Sequence, residues 1–595
     1  MRLVLLLISG FFLSLTAFAQ DDFLAKQYFD DGEFTKAVGF YEKLVERNPR
    51  RTDYAEGLIG CYQQLERYGD AEAFLLKKIE DKYAFPIFYV ELGYNYKLQN
   101  QEEEAQRYFQ QAVAKIEENP NFGYGIGNRF QKYALLSEAI AAYTKAMELN
   151  PDLNYNYQLA RIYGEQGNIA QMYQAYLQLI YEGKASRNNV LRNIDDFISE
   201  DPSNPNNGIL KRALLQNAQK NPDVVWNELL SWLFVKQKQF KSAFLQEKAI
   251  YKRNEASSLD RLNTLGNLAN ENNDVTTAAE IFGFIEENAV DEVTKLNAQL
   301  NLIDIQLLQT DGKTLDAVQK RFDRLMANYG YQNRTLQLQI AYSNFLAFKR
   351  NEAEPAIAML KKSLEQPLGK YGQAYIKLAL GDILVFDQRF NEALIYFSQI
   401  QKSLKNDVLG QEARFKVAQT SFYKGDFDWA LTQLKVLRAS TSQLIANDAM
   451  QLSLLISDNS LEDSTQTALK KYARADLLAY QNKTGEAILA LEDILQNHKG
   501  EKIEDEALLK QAALHVSQNN YEAAKFNYQK IIEFFSSDIL ADDAHFALAE
   551  LLEQQFNEPE KAKKLYEKII YNYQDSYYFP QARKNFRRLR GDLVN

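Results

Sequence analysis

Leu92-Gly93-Tyr94-Asn95-Tyr96, followed by Ala105, Phe109 and Ala112, is the stretch whose reading decides the fold. It is answered one unit later by Ile126-Gly127, Phe130, Ala139, Tyr143, Ala146 and Pro151. The same order stands before it in Tyr28, Gly32, Ala37, Tyr41, Leu44 and Pro49, and after it in Leu159-Ala160, Tyr163, Gly167, Tyr176 and Leu179. Ala37, Ala71, Ala105 and Ala139 are spaced by 34 residues throughout. Each unit sets a small residue in two successive helices, A and B, with aromatics beside them and a turn between. Gly93 and Gly127 let helix A approach its partner, and Ala105 and Ala139 do the same from helix B. Tyr96, Phe130, Phe109 and Tyr143 fill the remaining space, where a buried aromatic contributes about 1.5–3 kcal/mol. Pro49 and Pro151 stop helix B, since proline lacks the amide proton and clashes with the preceding turn.

This pattern resembles the tetratricopeptide repeat. The resemblance implies an all-α fold, a right-handed superhelical solenoid of antiparallel helix pairs, with helix A lining a concave groove. Further copies follow as Leu265-Gly266 with Ala278 and Phe282, Leu380-Gly381 with Ala393 and Phe397, and Val417-Ala418 with Ala430. Others centre on Ala487, Ala524 and Ala562. The pattern is clear over 21–182 and 367–580 and degenerate over 183–366. The expected organisation is a leader over 1–19, an N-terminal array over 20–182, a degenerate helical region over 183–366, and a C-terminal array with a capping helix over 367–595. The run Ser199 to Gly208, with two prolines and three asparagines, is a loop signal. It is expected to be a hinge, with a long inter-helix loop as the alternative.

Composition agrees with a repeat array. A chain of 595 residues exceeds one compact core, and 46% hydrophobic with 25% charged residues is the globular range. Only 11 prolines and 26 glycines favour helix. Arg2, the apolar run Leu3 to Leu15 and Ala17-Phe18-Ala19 read as a cleavable signal peptide. The mature chain is therefore expected to be exported, to the periplasm and peripheral to the outer membrane, without a transmembrane segment. Cys61 is the only cysteine and lies in an apolar helix segment, so it reads as core packing. A net charge of −10 argues against nucleic acid as a partner.

Tyr528-x-x-Ile531-Ile532 with Ser536-Ser537, and Tyr566-x-x-Ile569-Ile570 with Ser576, look like the longer repeat variant of bacterial envelope proteins of the outer-membrane assembly and Tol-system coordinator type. The proline usual at that corner is absent at Phe534-Phe535-Ser536-Ser537. No metal, phosphate or nucleophile motif is present, and no cofactor or enzymatic activity is expected. His515 and His545 occupy packing positions. Gly123-x-Gly125-x-Gly127 mimics a dinucleotide fingerprint but no strand precedes it. Glu102-Glu103-Glu104 opens a helix B, and Arg583, Lys584, Arg587, Arg588 and Arg590 end the last helix, each where the helix dipole suits it.

Carrying the repeat register over, the groove face consists of Val90, Tyr94 and Lys97, then Asn121, Tyr124, Asn128 and Gln131, then Asn154, Tyr157 and Arg161. That row suits an extended peptide or a glycan. The expected function is a scaffold for envelope proteins, with a glycan- or peptidoglycan-binding module as the alternative.

Overall fold

The computed structural model describes residues 21–81, 84–253, 258–308, 312–438, 442–460 and 465–592, so the leader expected over 1–19 lies outside the described residues. The described residues form helices joined by short connections, and no strand occurs among them. The chain divides into two compact units, one ending at Arg253 and the other starting at Asn254.

In the first unit, Ile87–Leu98 pairs with Glu102–Glu118, Phe122–Lys132 with Leu136–Leu149, and Asn156–Glu165 with Ile169–Tyr181. A Cβ placed at Gly93 would come 2.5 Å from the Phe109 ring, and one at Gly127 would come 2.5 Å from Tyr143. In the second unit, a Cβ at Gly266 would come 2.8 Å from the Phe282 ring, and one at Gly381 would come closer still to Phe397. Each glycine thus precedes its aromatic by sixteen residues. The alanines Ala105, Ala139, Ala278 and Ala393 have no exposed surface. The hollow left in helix A is filled by the ring of helix B.

The turn between A and B has a fixed chemistry. Gly32, Glu66, Asn100, Ala134 and Gly167 hold φ between 54° and 77°, the left-handed region. The next amide reaches back five residues to the carbonyl of a helix-A aromatic: Arg67 N to Tyr62 O at 2.8 Å, Gln101 N to Tyr96 O at 3.0 Å, Leu135 N to Phe130 O at 2.9 Å. This closure satisfies carbonyls that the helix end leaves orphaned. Ala134, at φ 54°, bears a Cβ where the left-handed conformation costs about 1–2 kcal/mol. Ala134→Gly is therefore expected to stabilise the first unit by about 1 kcal/mol. A rise in its thermal midpoint checks this; a fall would contradict the turn assignment.

The stretch 199–208, read as a hinge or a long inter-helix loop, is divided between a connection over 199–204 and the first turn of a helix. Pro205 starts the helix Pro205–Lys220, where its missing amide costs nothing, and the Asn204 side chain caps it by accepting from Asn206 N at 2.9 Å. Asn207 is buried and donates to the carbonyls of Ser199 and Asp201, both at 2.8 Å. Pro202 stays in the connection, while Pro205 starts the helix, Asn204 caps it and Asn207 fastens the connection to it.

The second unit stacks Lys370–Phe386 with Phe390–Ser403 and Val408–Lys424 with Phe427–Leu437. Later come Thr467–Tyr480 with Thr484–Asn497, Ile503–Ser517 with Tyr521–Phe534, Ala541–Gln554 with Pro559–Asn572, and the terminal Phe579–Arg590. Between these groups, Gln443–Ser460 packs through Ala449 and Ile456 into the same apolar cluster as Leu434 and Leu437. It packs on Phe427–Leu437 before it, whereas Thr467–Tyr480 after it pairs forward with Thr484–Asn497. That next helix turns back onto earlier ones. The Tyr480 ring packs against Phe348, Phe386 and Tyr423. Its hydroxyl donates to Asp382 O at 3.2 Å, and Gln481 Nε2 donates to Phe386 O at 2.6 Å. Side chains from one turn thereby cap carbonyls of a helix about a hundred residues earlier.

Candidate functional site

The A helices of the first unit carry the residues that the repeat register places on a binding face. Tyr124 and Tyr157 are 51% and 41% exposed, and Asn128 and Arg161 are exposed with them. Tyr157 rests edge-on against Tyr176 with centroids 6.2 Å apart, and Tyr124 lies 6.1 Å from Tyr155, so each ring is braced on one side and free on the other. The remaining members make contacts within the chain. Tyr94 is half-buried and stacks on Tyr133 with centroids 3.7 Å apart. Lys97 pairs with Glu102 at 3.3 Å. Asn121 is exposed and donates to Asn119 Oδ1 at 3.0 Å. Gln131 accepts from the Tyr143 hydroxyl at 2.8 Å, and Asn154 donates to Glu182 at 2.7 Å. Val90 corrects the register reading. It has no exposed surface and belongs to the core with Phe109 and Ile126, because an apolar branched side chain at the helix start is drawn inward.

Beside this face lies a charged network that the sequence reading passed over. Arg129 on Phe122–Lys132 bridges Glu91 on Ile87–Leu98, with Nη1 to Oε1 at 2.8 Å, and Glu56 on Thr52–Gln64. The Tyr133 hydroxyl donates to the other Glu91 oxygen at 2.6 Å. Glu91 is only 1% exposed. Burial pushes its carboxyl above the ordinary range, while Arg129 and Tyr133 pull it back. Three consecutive A helices are tied together this way. The available signal was a glutamate set between Val90 and Leu92 in an otherwise apolar helix, a charge that must be paired if the segment is buried.

The second unit concentrates carboxyls instead. Asp382 is pushed up by burial against the opposing charge of Lys416, which lies 3.0 Å away. A cavity of about 670 Å³ is lined in part by Tyr472, Asp476, Glu506 and Asp543. Burial, with Asp505 alongside, pushes the Glu506 carboxyl up to about 9, and burial with Asp542 pushes Asp543 up to about 6. A raised folded-state value means that the folded chain binds more protons than the unfolded chain over that range. The Glu506 contribution is complete below its unfolded value near 4.5 and is lost as pH rises through 9. Glu506→Gln is accordingly expected to flatten the decline of second-unit stability by up to about 1.4 kcal/mol per pH unit between pH 6 and 8. Urea midpoints measured at both pH values test this; parallel curves for the variant and the parent chain would reject it.

Among the described residues, no cluster of His, Cys, Asp and Glu is arranged to hold a metal ion. The His545 ring is buried with Nδ1 2.7 Å from Ala541 O, which fixes Nδ1 as the protonated nitrogen, and burial lowers its pKa. Cys61 is buried, and burial pushes its thiol up to about 12. The glycines 123, 125 and 127 lie within the helix Phe122–Lys132. No described helix is long and apolar enough to cross a membrane.

Comparison with known proteins gives the repeats their name. No curated protein matches the chain significantly. Among solved structures, the hetero-tetramer Cut9-Hcn1 of the APC/C shares 14% identity over 89% of this chain and 96% of that one, with a TM-score of 0.26. Yeast Tom70 shares 14% over 86% and 96%, with a TM-score of 0.27. Naa15/Naa10 bound to HypK-THB shares 12% over 96% of each chain, with a TM-score of 0.25. Scores this low leave the assignment to the repeats themselves. Residues 87–114, 506–537 and 543–576 match the tetratricopeptide repeat family, so the chain carries tetratricopeptide repeats in both of its units, the architecture of a scaffold for protein–protein interaction.

Proposed function

We propose that this chain is an exported scaffold of the bacterial cell envelope that holds an extended segment of a partner protein on the A-helix face of its first unit. The observation that carries this reading is the set Tyr124, Asn128, Tyr157 and Arg161, exposed on successive A helices. The helix that bears Tyr124 and Asn128 is tied to Ile87–Leu98 by Arg129 and Glu91. Braced tyrosines lose little rotamer freedom on binding and offer both a flat face and a hydroxyl. Asn128 and Arg161 add hydrogen-bond donors for backbone carbonyls and acidic side chains. The export half of the proposal rests on the charged, apolar and small-residue order of residues 1–19.

Crosslinking in intact cells followed by pull-down is expected to recover a reproducible set of envelope proteins. Tyr124→Ala/Tyr157→Ala should lose most of that set while keeping its helical circular dichroism. An unchanged set would remove the face from consideration. Cell fractionation should find the chain outside the cytosol, beginning at Gln20. Co-sedimentation of the purified chain with cell wall, abolished by the same double variant, would move the proposal from a peptide to a glycan.

A further inference from the structure

The last repeats of the second unit carry rings and cations side by side on their B helices. On Tyr521–Phe534, the side chains of Phe526, Lys530 and Phe534 follow one another at helical spacing and share one side. On Pro559–Asn572, Lys561, Lys564, Lys568 and Tyr571 do the same. Phe526 and Lys564 each stand two residues after the buried alanine of their repeat, Ala524 and Ala562, and Lys530 and Lys568 stand six after it. The two stripes are therefore equivalent sides of successive B helices. The Tyr573 hydroxyl donates to Ser536 O at 2.9 Å, which holds the C-terminal ends of the two helices together. Arg590 interacts electrostatically with Tyr571, so the face continues onto Phe579–Arg590, where Arg583, Arg587 and Arg590 share a side.

Two properties of this face point to its occupant. Its rings are open: Phe526, Phe534, Tyr571 and Tyr577 are 56%, 68%, 68% and 85% exposed. Its cations are in excess: residues 559–592 hold nine lysines and arginines against four carboxylates, in a chain whose net charge is −10. Among the described residues Lys530, Lys564, Lys568, Arg583 and Lys584 make no ion pair, while Glu558 holds Lys561 and Asp592 holds Arg587 and Arg590. Glu522 and Glu533 temper the first stripe, and Glu522 is itself paired with Lys525. We propose that this face rests on the surface of a bilayer containing anionic phospholipid, with the rings at headgroup level and the lysines and arginines on the phosphates. Aromatic side chains settle at that boundary, and lysine stems lie along apolar surface while their ammonium groups reach the anions. An acidic protein would match the cations and leave the rings in water, whereas an apolar protein patch would cover the rings and strand the cations. The contact is peripheral, since the other sides of these helices are packed in the core through Tyr528, Ile531, Tyr566 and Ile569. The inference goes beyond the scaffold reading and concerns a different unit from the Tyr124 face, so its failure leaves that face untouched.

The test is flotation of the full mature chain, from Gln20, with vesicles of phosphatidylcholine alone and with about 30% phosphatidylglycerol added. Binding to the anionic vesicles is expected to exceed binding to the neutral ones at least roughly tenfold, and to weaken as salt is raised. Lys564→Gln/Lys568→Gln should weaken it roughly tenfold. Phe534→Ser/Tyr571→Ser keeps every charge and should weaken it by a similar factor. All four of these side chains are exposed, so the helical circular dichroism should stay that of the parent chain. Lys184→Gln/Lys220→Gln removes two charges from the exposed surface of the first unit and should change nothing. Equal binding to both kinds of vesicle, full binding by the lysine or the ring variant, or an equal loss in the first-unit control would each overturn the proposal. So would capture of soluble poly-glutamate by these lysines with the vesicles left unbound, which would give the face to an acidic protein.

Discussion

Arg129→Ala is expected to cost the first unit about 3–5 kcal/mol, the range for removing one partner of a buried ion pair. The cost arises from what is left behind. Glu91 sits between Val90 and Leu92 in the core, with Arg129 as its countercharge and Tyr133 as its donor. Without the guanidinium it must either keep a charge in a poorly solvated site or take up a proton that the unfolded chain does not hold at pH 7. Glu56 loses its partner at the same time, although it is better exposed and contributes less. In a unit of this size the change corresponds to a drop on the order of 10 °C in its thermal transition. Replacing Glu56, Glu91 and Arg129 together by apolar residues of similar volume should recover most of the loss, since the network offsets its own desolvation rather than adding a large surplus. Hydrogen exchange should localise the Arg129→Ala effect to Thr52–Gln64, Ile87–Leu98 and Phe122–Lys132. A single variant within 1 kcal/mol of the parent would show that the three helices are held by their apolar contacts alone.

The same network shows where the sequence stopped being legible. Glycine and alanine at repeat spacing could be read because each marks a place where a larger side chain would not fit, and at Gly93, Gly127, Gly266 and Gly381 the space is taken by the ring sixteen residues on. Glu91 and Arg129 occur once, and a single charge in an apolar helix is equally compatible with a kinked exposed edge. Pro205 carries a double signal: proline marks both the loop that ends one helix and the first turn that begins another, and only the Asn204 cap decides between them. The turn signal was present and unused, with Asn100, Asn273, Asn482, Asn519 and Asn557 all in the left-handed conformation that asparagine tolerates. The helix Gln443–Ser460 has the right pattern for helix A, and nothing local says that the helix after it pairs forward with Thr484–Asn497. That follows from Tyr480, Gln481 and Asn482 reaching helices about a hundred residues earlier, a long-range preference that no periodicity encodes. The exposure of Tyr124, Asn128, Tyr157 and Arg161 was legible from the repeat register. Val90, at the same register, was lost to the core because register fixes direction while side-chain chemistry fixes burial.

Phe397→Ala is the second large effect, an expected loss of about 3–5 kcal/mol from the second unit. The ring has no exposed surface and fills the hollow that Gly381 leaves in the facing helix, so truncation opens a cavity that two rigid helices cannot collapse around. Gly381→Ala attacks the same contact from the other side. Its new methyl would overlap the Phe397 ring, and a net loss of about 1–3 kcal/mol is expected even though alanine is the better helix former. The two changes should not add. With the ring gone, the methyl at 381 enters space that is already empty, improves helix propensity and covers part of the cavity. The double variant should therefore be more stable than Phe397→Ala alone, with a coupling of about 1–3 kcal/mol. Gly39→Ala serves as the reference, because a Cβ there meets nothing within 4 Å and should stabilise by about 0.5–1 kcal/mol. Strict additivity of Gly381→Ala and Phe397→Ala in urea denaturation would mean that the glycine is kept for some reason other than the ring it faces. Gly93, Gly127 and Gly266 would then also need a cause other than the large ring that each one faces.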